Sequence, residues 1–149
     1  MDSSAGAGDS AKIPSLDTSG KLSSTFMPTG FGADTLTLTA GETLAAGDLI
    51  YVDATGQAFK ADADSSSKAA IGFVLAGITS GGTGTVYFGS GMVTGLTGLT
   101  AGSLYFLSST AGGITTTAPT GAAKIQQQVG RATSATVLYF EPQPAVLLI

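Results

Sequence analysis

From Thr35 onward, short apolar runs alternate with clusters of Gly, Ser, Thr and Asp, and the apolar positions recur with a period of two. In "TLTLTA" threonine and leucine alternate, which puts Leu36 and Leu38 on one face of a strand. "DLIYVDATGQAFKADA" reads as a hairpin: an apolar strand over Leu49–Val52, a turn at residues 53–56 and a return strand through Phe59. "AIGFVLAGI" and "TVYFGSGMVTGL" are further strand patterns, separated by the turn cluster "TSGGTG". "SLYFLSSTAGGITTTAP" predicts a second hairpin, and "VLYFEP" a terminal strand stopped by Pro142. The pattern predicts an all-β domain, a small barrel or sandwich, over residues 35–142.

The domain repeats itself. "AAGDLIYVDATGQAF" (residues 45–59) parallels "TAGSLYFLSSTAGGI" (residues 100–114): each has Ala-Gly, a polar residue, Leu, an apolar strand, a polar turn and a return strand. Ile71-Gly72 then precedes "GTVYF" as Val129-Gly130 precedes "ATVLYF". The shared succession predicts an internally duplicated unit, with chance similarity among Gly, Thr and Ala as its rival.

The two ends differ from this body. Residues 1–12 are Gly, Ala, Ser and Asp with almost nothing to bury, so alone they are expected to be disordered. Residues 12–28, "KIPSLDTSGKLSSTFMP", suit neither strand nor helix, yet carry large apolar side chains at intervals; "LDTSG" within them reads as a turn. Ile13, Leu16, Leu22, Phe26, Met27 and Phe31 therefore mark residues 1–34 as an extended arm that docks on another protein, or folds back over its own edge strand. After Pro142 and Pro144, the tail at residues 143–149 ends "AVLLI", a poor sequence to leave in water. Val146, Leu147, Leu148 and Ile149 are expected to pack on a neighbouring subunit or to close the bottom of their own barrel.

Composition narrows the chemistry. Six basic and ten acidic residues give a formal net charge of −4 with no basic cluster, which removes the electrostatic term that nucleic-acid binding needs. Cys and His are absent, so Ser-His-Asp and Cys-His catalysis and thiolate- or imidazole-bound metals are excluded. No apolar run approaches the ~18 residues that span a bilayer, and no secretory leader opens the chain, so a soluble protein made inside a cell is expected. Asp62 and Asp64 could share one strand face as a catalytic pair, with Asp53 and Glu42 as further acids, but "KADADSSSK" looks like a solvated loop. The oxygen-rich "DADSSS" lacks the glycine and distal glutamate of an EF-hand loop. The Gly clusters "GGTGT" and "GSGMVTG" lack the Lys-Ser or Lys-Thr and the helix of a phosphate loop, and read as hairpin turns. In each "YF" pair alternation sends one ring toward the core and the other toward an interface.

"GAGDSAKIPSLDTSGKLSSTFMPTGFGADT", "AGDLIYVDATGQAFKADA", "AIGFVLAG", "TGLTGLTAGSLYFLSSTAGGITTTAPT" and "QQVGRATSA" resemble a group of small structural proteins of tailed bacteriophages. The resemblance covers nearly all of the chain. It implies a capsid cement or decoration protein seated on the outer surface of the shell, often as a homotrimer, with the major capsid protein and copies of itself as partners. A head or tail fibre or spike component anchored by its arm is the alternative. The family implies no catalytic residue and no cofactor, so a non-enzymatic virion protein is expected, without nucleic acid or membrane as partner. From a different class, a carbohydrate-active enzyme using the acids above is the rival.

Overall fold

The computed structural model describes residues 33–149. They form strands β1 (Thr35–Thr39), β2 (Leu49–Val52), β3 (Ala58–Lys60), β4 (Gly72–Phe73), β5 (Thr83–Phe88), β6 (Gly91–Thr94), β7 (Leu104–Leu107), β8 (Ile114–Thr115), β9 (Ile125–Gln126), β10 (Gln128–Ala132), β11 (Val137–Phe140) and β12 (Val146–Leu147), with one 3₁₀ turn at Ser66–Lys68. The fold is all-β, as the period of two predicts, and every named strand pairing is antiparallel.

Two sheets carry the same topology. The first runs β1-β5-β4-β2-β3 and the second β6-β11-β10-β7-β8, which is one order written twice. Their hydrogen bonds correspond in detail. Gly47 donates to Val74 at 2.8 Å as Gly102 does to Ala132 at 2.8 Å, and Val74 donates to Asp48 at 3.1 Å as Ala132 does to Ser103 at 3.0 Å. Gly47 and Gly102 adopt φ of 90° and 81°, a region that a Cβ disfavours. Turn chemistry is repeated too. The Asp53 carboxylate accepts from the Thr55 amide at 2.9 Å, and the Ser108 hydroxyl accepts from the Thr110 amide at 2.9 Å, each fixing a hairpin loop.

The halves then diverge. Ala40 bridges Ala58 in parallel, so the first sheet curls until its two edge strands meet at one corner. Inside that curl lie Ala40, Leu44, Ile50, Ala58, Val74, Ile78 and Val86, a core drawn wholly from the first repeat. The larger core is shared: Leu49 and Phe73 from the first sheet meet Val93, Tyr105, Leu107, Leu138 and Phe140 from the second. Phe73 joins them, with its ring edge-on to Phe140 at 5.4 Å and stacked on Tyr87 at 5.4 Å. Thus the outer face of the first sheet is roofed by the inner face of the second.

Several sequence readings change. "GSGMVTG" is not a hairpin turn: Gly89, at φ 67°, turns the chain out of the first sheet, and Gly91–Thr94 form β6 in the second, with Gly91 so close to the Phe73 ring that a Cβ there would sit 2.9 Å from it. "AIGFVLAGI" keeps only Gly72–Phe73 as a strand, with Ile78 returning to bridge Leu44. "VLYFEP" is not the last strand, since β9 and β12 form a ribbon of their own. Leu38 packs on the first core, but Leu36, on the same face, is 56% exposed at the end of edge strand β1. Only the Tyr139–Phe140 pair divides fully, with Phe140 buried and Tyr139 outward; Tyr87 and Phe88 each pack on a different core.

Gly130 tests this close packing. Its φ is 149°, and a Cβ there would collide with the Tyr139 carbonyl. Gly130→Ala is expected to lower unfolding free energy by about 3 kcal/mol or more in urea titrations. Gly56→Ala, at φ 80° with nothing near the added carbon, should lose only about 1 kcal/mol.

Candidate docking surface

The apolar tail follows β11 and runs antiparallel to residues 123–129. Glu141 donates to Val129 at 2.9 Å, Gln143 to Gln128 at 2.9 Å and Leu148 to Lys124 at 2.8 Å, and Ala123 returns a bond to Leu148 at 2.9 Å. Pro142 and Pro144 alternate with these donors, so their missing N–H groups leave the ladder intact. Ala123 itself holds φ 67°, the one positive φ outside glycine among the described residues. β12 pairs with β9 in the register Val146↔Gln126 and Leu147↔Ile125. β9 is anchored in turn, because Ile125 is fully buried and donates to Ala63 at 2.8 Å.

The main chain of the tail is therefore fixed while its side chains are not covered. Val146 is 60% exposed, Leu147 50% and Ile149 fully exposed, with Leu148 half-buried. Within the described residues these side chains do not close the barrel. Strand alternation sends Val146 and Leu147 to opposite faces of the ribbon. β12 also has β9 as its sole neighbour in the two-stranded sheet, and it carries no charge. An uncharged apolar edge of this kind is a template for another chain. Sequence reasoning found the tail but missed β9, whose two residues have no alternation to read.

Ile13, Leu16, Leu22, Phe26, Met27 and Phe31 lie outside the described residues.

The acidic loop is solvated, as its sequence predicts, only from Asp64 onward, where Asp64, Ser66 and Ser67 are exposed. Ala61 and Ala63 are fully buried and Asp62 nearly so, because the loop crosses into the shared core. Asp62 accepts from Lys68 at 2.8 Å and from the Asp64 amide at 3.0 Å. The Asp62 hydrogen bond and charge raise the Lys68 ammonium above its ordinary value. Asp64 pairs with Lys124 at 3.1 Å, and the hydrogen bond from Lys124, followed by that from Ser109, holds its carboxyl below the ordinary 3.8. Asp53 is lowered by the Thr55 hydroxyl and the Gln57 amide within its turn. Glu42 accepts from the Lys60 amide at 2.9 Å. All four acids are thus committed to the fold. Nearby, buried Gln127 bonds both main-chain groups of Ala70, at 2.8 and 2.9 Å, and ties the repeats together.

Among the described residues, no group of three or more acidic side chains is placed to hold a metal ion, and no helix is long and apolar enough to cross a membrane. No protein-family model matches this chain, and no curated protein matches its sequence.

Two outcomes follow for the acidic loop. With lysines already on Asp62 and Asp64, EDTA should leave the melting temperature unchanged; a fall would mark a cation site at residues 62–67. Because Asp64 is lowered on folding, its pairing stabilises fully above the ordinary 3.8 and is lost as pH falls through its depressed value. The melting temperatures of the native protein and Asp64→Asn should differ at pH 6 and converge once the pH drops below that range.

Proposed function

We propose that this chain is a structural protein of a tailed-phage virion, a capsid cement or decoration protein that binds the outer surface of the shell and stabilises it. Its partners are the major capsid protein and copies of itself, associated as a homotrimer, and it is made in the host cytoplasm. The supporting observation is the β9–β12 ribbon, whose backbone is fixed while Val146, Leu147 and Ile149 stand open to a partner. Commitment of Asp53, Asp62, Asp64 and Glu42 to turns, ion pairs and main-chain amides favours binding over carboxylate catalysis. The apolar positions of the arm, Ile13 through Phe31, fit a second point of attachment.

The mechanism is passive. Each copy buries ribbon and arm against surface that the bare shell leaves exposed, and whatever binds the assembled state alone stabilises it by mass action. An apolar area of a few hundred Å² at about 25 cal/mol per Å² contributes several kcal/mol per site before association costs. Multiplied over many sites, modest affinity suffices.

The test mixes purified protein with undecorated shells of the cognate phage. The full chain should bind; a chain lacking residues 1–29, and a second lacking residues 145–149, should stay folded by circular dichroism, the second short only of the β9–β12 pairing, yet bind at least tenfold more weakly. Undiminished binding by both would overturn the docking assignment. Counting copies in purified particles separates the roles: hundreds fit a shell protein, whereas a few to a few dozen fit a fibre or spike.

A further inference from the structure

The duplication supplies an internal comparison. In the first sheet, Leu49, Phe73, Tyr87 and Thr35 lie side by side across four strands, forming one row of the outer face. The matching row of the second sheet is Leu104, Arg131, Tyr139 and Met92. Leu49, Phe73 and Tyr87 of the first row are roofed by the second repeat, while Thr35 stands exposed at the end of the row. The second row has no third repeat to cover it, and Met92 is 50% and Tyr139 37% exposed. Without a roof, none of its four positions needs an apolar side chain, yet Leu104 and Tyr139 repeat the Leu49 and Tyr87 of the first row, and Met92 stands where that row has a threonine.

The departure from the first row is as informative. Arg131 replaces Phe73 at the centre, exposed, its guanidinium donating to the Gly102 carbonyl. Two residues past Tyr139, alternation puts exposed Glu141 on the same outer face. Among the described residues neither Arg131 nor Glu141 has an ionic partner. The face thus carries one cation and one anion beside an apolar patch of Tyr, Met and Leu. Tyr, Met and Arg are the types that interface centres favour, and charges of both signs on one face make it complementary to a copy of itself.

We infer that the outer face of the second sheet is the surface through which copies of this chain associate, with Arg131 of one copy meeting Glu141 of the next around Met92 and Tyr139. It rests on the proposed homotrimer and specifies the contact that closes it: each copy gives a cation to one neighbour and an anion to the other, as cyclic closure requires. The second copy takes the place that the second repeat takes over the first, covering an outer face that the described residues leave open.

A charge swap tests it. Sedimentation equilibrium is run on the full chain, on Arg131→Glu, on Glu141→Arg and on the double variant, with circular dichroism to confirm folding, which these exposed positions should not disturb. Each single reversal is expected to weaken association about tenfold or more, and the double variant to restore it substantially. Met92→Lys with Tyr139→Ser, which removes the apolar patch, should give monomers. A trimer that survives all of these variants overturns this face while leaving the trimer standing. A dimer that obeys the swap keeps the face and overturns the threefold arrangement, and a native chain that stays monomeric at micromolar concentration overturns both.

Discussion

The outer face of the first sheet is buried beneath the second, and most of the molecule follows from that contact. Phe73 is its pivot, in contact with Tyr87 on its own sheet and Phe140 on the other. For the ring to reach its seat, Gly91 must have no side chain, and the chain must leave β5 and enter β6 through the turn at Gly89. The alanines at 61, 63 and 70 fill the same region, which is why the two ends of a loop that reads as polar are packed while its middle is solvated. Asp62 enters with them and is buried only because Lys68 meets it.

The two repeats are duplicated without being symmetric. Both repeats use the same strand order and the same glycine turns, but the first closes on itself at Ala40 and Ala58, and the second does not. The open second sheet accepts Leu49 and Phe73 into its concavity instead. The segment between β8 and β10 carries strand β9 where its counterpart between β3 and β4 carries the 3₁₀ turn Ser66–Lys68, and it becomes the seat of the tail. Gain of a ribbon and loss of closure therefore belong to the same half.

Much of this was legible in the residues. The hairpins around 53–56 and 108–113 declared themselves because Asp and Ser at their first positions, and glycine near their ends, leave the backbone few alternatives. The repeat was legible because Ala-Gly-x-Leu recurs where a glycine turn feeds an apolar strand. What could not be read was the division of apolar faces between two cores. Leu49 and Ile50 look alike in sequence, and only the roof over the first sheet gives them different cores. The tail was visible as apolar, but its pairing depended on β9, two residues set beside Ala63 by contacts distant in sequence. The lysine partner of Asp64 was equally hidden, since Lys124 lies sixty residues from the carboxylate it meets.

The inequality of the two cores carries a consequence for synthesis. Every residue of the first core lies between Ala40 and Val86, so that half can collapse before the rest of the chain exists. The shared core cannot, because Leu49, Phe73 and the alanines must already be in place for the second sheet to close over them. Emergence from the ribosome presents the halves in that same order, and domains tend to fold as units as they appear. The first repeat thus becomes a template on which the second condenses. Pulse-labelled amide exchange during refolding would reveal the order: protection of Ile50 and Val86 should precede that of Leu138 and Phe140, and the reverse would show that the second sheet needs no template.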